Sequence, residues 1–411
     1  MSQTLNTENH RGYKETKLGW IPKDWDIVKL EEVGDTITGL TYNPKMIDDN
    51  GILVLRSSNV QDRALKYDDN VFVSVNNGSY NPTKNGDILI CVRNGSRNLS
   101  GKNAIITKNE SGTAFGAFML VFRSSDYKYL YQLFDTDFYN NEIHRNLGAT
   151  INSINTNNLK KFRFPYPKAE ERSTIANCLS TWDTAITKLT ALIKAKQLHK
   201  KALAQQLLTG KKRLKGFSEE WKEKRLSYFI EYTPRAVEKP QETFTKLGIR
   251  SHCKGTFQNQ NFEPANIAIT TLFEVKQHDL IVNITFAWEG AIAIVKEKDN
   301  GSLVSHRFPT YVFKENISSC LFFEQFIKTK KFRYLLELIS PGGAGRNRVM
   351  SKKEFIKLKI SIPEYEEQTA IAQILNTADK EITLLQQQLQ QLKLQKRGLM
   401  QQLLTGKKRL I

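Results

Sequence analysis

Arginine, asparagine and serine gather just behind apolar runs in the first half of the chain. Arg56, Ser58 and Asn59 follow Ile52-Leu53-Val54-Leu55, Arg93, Asn94 and Arg97 follow Ile88-Leu89-Ile90, and Arg145 and Asn152 flank Leu147-Gly148-Ala149-Thr150. The second half repeats the pattern with Arg250, His252 and Lys254, with Trp288, with Arg307, and with Arg346, Asn347 and Arg348 behind a glycine-rich run. A guanidinium fork pairs with two acceptors on the edge of guanine, and a carboxamide with adenine. Serine, lysine and backbone amides at loops hold phosphates. These residues are therefore candidate DNA contacts. A single loop arginine is more often a plain solvated charge, so the reading rests on the group and on the charge of the whole chain.

That charge is large. Lys and Arg number 61 against 42 Asp and Glu, a formal net charge of +19, and a surplus of this size points to a polyanionic partner. Other chemistry is missing from the sequence. There is no GxxxxGKS/T phosphate cradle. Asn43-Pro44-Lys45 and Asn81-Pro82-Thr83 lack the second proline and the aromatic that would stack an extruded base. Glu274-Val275-Lys276 has no paired acid. His252 beside Cys253 reads as a turn, and Cys91, Cys178, Cys253 and Cys320 are too widely spaced for a metal site or a disulfide framework. The expectation is a chain with no catalytic residues, no metal site and no cofactor of its own. No apolar run reaches the roughly 18–20 residues of a membrane span, and the polar N-terminus has no apolar signal core. A cytoplasmic protein is expected, with residues 1–17 as a short mobile arm.

The elements that must position these loops come in two sets. Gln205–Leu214 (QQLLTGKKRL) recurs unchanged at Gln401–Leu410, an offset of 196, and 24 of 48 positions match between Pro167–Leu214 and Pro363–Leu410. The same offset places Trp25 on Trp221 and Leu30 on Leu226. So long a period excludes a solenoid. It predicts two domains, 18–166 and 215–362, each followed by a connector, 167–214 and 363–411. Within the domains, 52–60, 85–90, 104–106 and 118–122 read as strands, matched by 244–252, 277–282, 291–295 and 310–313. Amphipathic helices are expected over Tyr127–Phe138 and Leu321–Ile339. Each domain is thus a mixed α/β unit with a mostly antiparallel or mixed sheet.

The connectors read as helices. Ile371, Leu375, Ala378, Ile382, Leu385, Leu389, Leu392, Leu399 and Leu403 fall at alternating four- and three-residue spacing or its multiples, a coiled-coil stripe. Ile175, Leu179, Trp182, Ile186, Leu189, Ile193, Leu203 and Leu207 form its counterpart, interrupted by Lys196 and Lys200 as Lys396 interrupts the second. Prolines precede both starts, Glu170-Glu171 and Glu366-Glu367 suit the positive end of a helix dipole, and Gly210 and Gly406 suit the stop. Each helix spans about 38 residues, roughly 55–60 Å. Facing seams in a closed two-fold arrangement require antiparallel helices. The fold class is α+β: two mixed α/β domains separated by two long antiparallel coiled-coil helices, with an internal pseudo-two-fold repeat. The identity of the ten-residue close fits a surface that two equivalent partners grip.

These motifs resemble one family. Leu18-Gly19-Trp20-Ile21-Pro22-Lys23-Asp24-Trp25 with Lys29-Leu30 looks like the entry motif of specificity subunits of Type I restriction-modification systems. Pro363–Ala372 resembles that family's connector start, as does Pro167–Ala176 with Glu171-Arg172 in place of Glu-Gln, and both QQLLTGKKRL segments resemble its connector close. The resemblance implies two target-recognition domains, each reading half of a bipartite site in double-stranded DNA. It implies paired helices that space the domains and dock two modification (methyltransferase) subunits. It further implies that those partners use S-adenosylmethionine to methylate adenine at N6, and that restriction subunits bring ATP- and Mg-dependent translocation and cleavage. It assigns no base contact to a particular residue here. The competing reading is a non-catalytic coiled-coil adaptor that binds protein partners.

Overall fold

A computed structural model describes residues 12–75, 78–147, 152–343 and 348–410. Its contacts group the chain into two compact units, Met1–Leu189 with Gln388–Ile411, and Thr190–Gln387. Two helices of 39 residues, Ala169–Leu207 and Tyr365–Leu403, each begin in one unit and end in the other. Among the described residues no helix is long and apolar enough to cross a membrane.

In the first unit a four-stranded antiparallel sheet runs in the order Asn103–Ile105, Ile88–Cys91, Met119–Arg123, Asp35–Thr38. Its central strands are apolar on both faces, because a helical layer covers one side and a second small sheet the other. That second sheet pairs Ile47–Leu55 in parallel with Ala114–Phe115 and antiparallel with Phe72–Val73. The chain enters and leaves along a ribbon of Asp26–Lys29 against Arg163–Tyr166. The second unit repeats this plan, running from the opposite edge, with Ile230–Tyr232, Thr310–Phe313, Leu280–Val282 and Ile292–Ile294. Its second sheet is larger, five strands including the hairpin Phe244–Ile249 and Thr256–Phe262, again with one parallel pairing, Lys246 to Leu303. The entry ribbon recurs as Glu223–Arg225 against Lys359–Ser361.

The expected single helices over Tyr127–Phe138 and Leu321–Ile339 are each broken into two. The pieces are Tyr127–Leu133 and Asp137–Asn146, then Cys320–Phe326 and Lys330–Leu338. Thr136 and Thr329 are the reason. Each accepts a hydrogen bond from a backbone amide three residues on and so caps a new helix. The apolar period continues across the break, so periodicity alone joins the pieces.

The long helices pair antiparallel within each unit. In the first, Asp183 meets Lys396 at 2.7 Å and Glu171 meets Arg409 at 2.6 Å. In the second, Lys196 meets Glu381, Lys200 meets Asp379, and Arg213 meets Glu367, at 2.6, 2.6 and 2.7 Å. In both, as one helix advances its partner numbers fall. The expected seam residues are buried or half-buried throughout. Their ends do more than line a seam. Ile175, Leu179, Leu403 and Leu404 join the core around Trp25, Tyr129 and Phe164, and Leu207, Leu208, Ile371 and Leu375 join the core around Phe323 and Phe355. Each helix end is therefore fixed to its domain by apolar burial, the dominant favourable term in folding.

The lysines in the seam are matched rather than unpaired. Lys396 bonds Asp183, which also accepts a 2.7 Å hydrogen bond from Gln132 Nε2. Lys200 bonds Asp379, which accepts 3.0 Å from Gln325 Nε2. Gln132 and Gln325 lie on the first helical piece of each domain, so each triad locks helix register to the domain.

The ten-residue close has an internal reason for its identity. Glu171, almost fully buried, accepts from Trp25 Nε1 at 2.9 Å and from Arg409 at 2.6 and 2.9 Å, while Asp24 grips the same guanidinium at 3.0 and 2.8 Å. The hydrogen bond from Arg409 holds the Asp24 carboxyl below its ordinary range. In the second unit Glu367 accepts from Trp221 at 3.1 Å and from Arg213 at 2.8 and 2.7 Å. Gly210 and Gly406 both take φ of +70°, and a Cβ on Gly406 would stand 2.4 Å from the ring of Pro22. The leucines, glycine and arginine of the repeat are buried or half-buried, whereas its paired glutamines and its paired lysines, Lys211-Lys212 and Lys407-Lys408, are exposed. The position where the repeat diverges serves one purpose by two chemistries. Gln368 accepts from the Ser319 amide at 2.9 Å, at the start of the helix Cys320–Phe326. Arg172 instead donates to Asp126 at 2.9 Å, at the start of Tyr127–Leu133, and lies over the Tyr166 ring.

Candidate nucleic-acid interface

In the first domain three loops converge beyond the ends of the central strands. The Asn94 amide donates to Asn152 O at 3.1 Å, and its side-chain Nδ2 to Ser57 Oγ at 2.6 Å. Asn152 Nδ2 donates to Gly95 O at 3.0 Å, and the Ile154 amide to Val92 O at 2.8 Å. The Arg93 amide donates to Phe118 O at 3.2 Å, which brings in the turn before Met119–Arg123. Arg93, Asn94, Asn152 and the Ser57–Asn59 turn are therefore neighbours although up to about a hundred residues apart in sequence. Ser58 belongs to this turn, and its Oγ is buried without a partner among the described residues. Arg97 is exposed and reaches His144 O at 3.3 Å. Arg145 lies near the end of the helix Asp137–Asn146, highly exposed and paired with Glu142. Arg56 pairs with Asp69 at 2.9 Å.

Asn59 requires a correction. It is fully buried, its Oδ1 accepts from the Arg56 amide, and its Nδ2 donates to Lys66 O at 2.9 Å. The carboxamide closes its own loop and has no free edge for a base. The composition of the turn suggested recognition because asparagine serves turns and bases with the same atoms.

The second domain gathers its loops in the same way. The His252 and Cys253 amides donate to Glu289 O and Gly290 O, both at 2.8 Å, which joins the hairpin turn to the short helix Ala287–Glu289. Ile284 N donates to Arg307 O at 3.0 Å and Met350 N to Ile284 O at 2.8 Å, the latter repeating the bond from Ile154 to Val92. Arg307 is exposed, with one nitrogen on Thr285 Oγ1 at 3.1 Å. The Arg348 guanidinium lies 5.1 Å from the Trp288 ring centroid, with Nε on Ser340 O, and Trp288 Nε1 is buried without a partner among the described residues. His252 and Lys254 are exposed at the hairpin turn, and Arg250 bonds Thr256 O beside the Phe257 ring. Arg346 and Asn347 lie outside the described residues.

Two aromatic residues went unnoticed in the sequence. Phe118, largely exposed, lies under Arg93 at 5.1 Å, and exposed Phe257 lies under Arg250 at 5.2 Å. An aromatic at a strand end reads as core, so nothing in the sequence marks either one. A separate cleft of about 560 Å³ in the first unit lies against the helix pair and is lined by Asp135, Asp137, Asp183, Lys393, Lys396 and Arg397 among others. Among the described residues no group of three or more His, Cys, Asp and Glu side chains could hold a metal, and the four cysteines are free thiols.

Known proteins agree with this plan. A family model described as the Type I restriction modification DNA specificity domain matches residues 22–215 and again 218–394. The chain is 27% identical over 230 residues to the Type I restriction enzyme MjaVIII specificity subunit of Methanocaldococcus jannaschii, a match that spans 52% of each chain. It is 25% identical over 444 residues to the putative MjaX specificity subunit of the same organism, across 98% of both. Among solved structures, it resembles the S subunit of the Type I restriction-modification system of M. genitalium, with a TM-score of 0.58, 16% identity, and 98% and 99% of the two chains covered.

Proposed function

The chain belongs to the Type I restriction modification DNA specificity family, as a specificity subunit, and from that premise we propose that each of its two domains reads one half of a bipartite duplex site. What carries the reading is the duplicated loop cluster: the same scaffold, twice, gathers polar loops beyond the ends of the same strands, with arginine, asparagine and serine in the first domain and arginine, histidine and lysine in the second, in a chain of net charge +19. Groups of this kind pair with base edges and phosphates. The two long helices set the number of unread base pairs between the half-sites, and their outer faces dock two methyltransferase subunits. Those partners bring S-adenosylmethionine and methylate adenine at N6, and restriction subunits bring ATP- and Mg-dependent cleavage. The chain itself supplies recognition and no bond-making step.

Equilibrium binding of duplex by the assembled modification complex, measured across salt concentration, tests this. Log affinity should fall linearly with log salt, with a slope of about −0.9 per phosphate neutralised. An affinity for duplex that ignores salt would favour the protein-binding adaptor instead.

A further inference from the structure

The candidate arginines differ in how far their guanidinium groups are already engaged. Arg56 is paired with Asp69, Arg145 with Glu142, and Arg348 with Glu337 and Ser340 O. Arg97 donates to His144 O, Arg250 to Thr256 O, and Arg307 to Thr285 Oγ1. Arg93 is the exception. Among the described residues its guanidinium has no hydrogen bond and no ion pair, and it lies over the Phe118 ring.

Its backbone, by contrast, is held firmly. The amide bonds Phe118 O, the residue bridges Ser153, and the Asn94 amide and side chain anchor the next position to Asn152 and Ser57. The side chain is exposed, and Phe118 beneath it is 56% exposed. An aromatic face attracts a cation and lets the planar guanidinium stack, so that less freedom is lost when its fork closes on two acceptors.

Resting on the recognition reading above, we infer that Arg93 reads a guanine in the half-site of the first domain and that Phe118 is a positioning residue that holds the fork flat for it. Burial of Phe118 against the duplex backbone explains an exposed aromatic at this place. Among the described residues the second domain has no equivalent pair with a free fork: Arg348 over Trp288 is tied to Ser340 and Glu337, and Arg250 beside Phe257 to Thr256 O. The two domains therefore read their half-sites by different contacts.

The test is the methylation profile of the assembled complex on duplexes with each half-site randomised in turn. Wild type should require guanine at one position of the first domain's half-site. Arg93→Lys and Arg93→Ala should relax that position alone by about tenfold or more, the worth of one bidentate contact. Phe118→Ala should relax the same position by a smaller factor, and Phe118→Trp should restore it. The other half-site should not change under any of the four. An Arg93→Ala profile identical to wild type, or a Phe118→Ala loss spread evenly over all sequences, would overturn the assignment. A wild-type half-site that contains no preference traceable to residues 18–166 would bring down the recognition reading itself, and the assignment with it.

Discussion

At the scale of single residues, the polar groups that looked alike in sequence divide into two kinds. Asn59 and Glu171 are consumed by the fold, the first closing a turn and the second receiving Trp25 and Arg409. Arg93, His252 and Lys254 remain open to solvent. The distinction is one of available lone pairs and hydrogens, which composition does not carry. The inward residues have measurable worth. Lys396 is almost fully buried, with Asp183 as its counter-charge. Asp183→Ala strands that ammonium and should cost about 2 kcal/mol, less than the 3–5 kcal/mol of a wholly buried pair because Asp183 is partly exposed. The double variant Asp183→Ala/Lys396→Met removes both charges and should recover most of the loss in a denaturant-midpoint cycle. A double variant as unstable as the sum of the singles would show that the pair matters for something other than charge compensation.

At the scale of elements, the long helices were the most legible part of the chain. Their apolar stripe, leading glutamates and closing glycines place them at 167–214 and 363–411, and the observed helices Ala169–Leu207 and Tyr365–Leu403 fall inside those spans. Repetition made the signal redundant. The short helices were less legible because Thr136 and Thr329 interrupt the backbone without interrupting the apolar period. The additional strands of the second domain, Ala236–Glu238 and Thr271–Glu274, were not foreseen, since strands of three and four residues carry few apolar residues to alternate. The triads at Lys396 and Lys200 tie helix register to each domain, which supports the proposed role of the helices as spacers. Inserting four residues at matching positions in both lengthens each by about 6 Å. The unread spacer of the DNA site should grow by about two base pairs, at roughly 3.4 Å each, with both half-sites retained. Methylation mapping reads the result, and altered half-sites would refute the spacer role.

At the scale of the whole molecule, one plan is used twice, and under the proposed function the two domains need not read alike. The cores, entry ribbons and clasps are shared, from Trp25–Glu171–Arg409 to Trp221–Glu367–Arg213. The loops are not, as the contrast between Arg93 on Phe118 and Arg348 on Trp288 shows. The shared core and clasp residues face inward, where packing tolerates little change, whereas surface loops accept substitution freely. This also explains why the architecture was readable and the contacts were not: a repeat records what the fold demands of both halves, and the target sequence is what differs between them. The central claim is that the two domains read independently. Exchange of residues 18–166 for the corresponding domain of another specificity subunit, followed by genome-wide mapping of methylated adenine, tests it most directly. One half-site should change, with the other half-site and the spacer length preserved; a change in both half-sites would contradict the account.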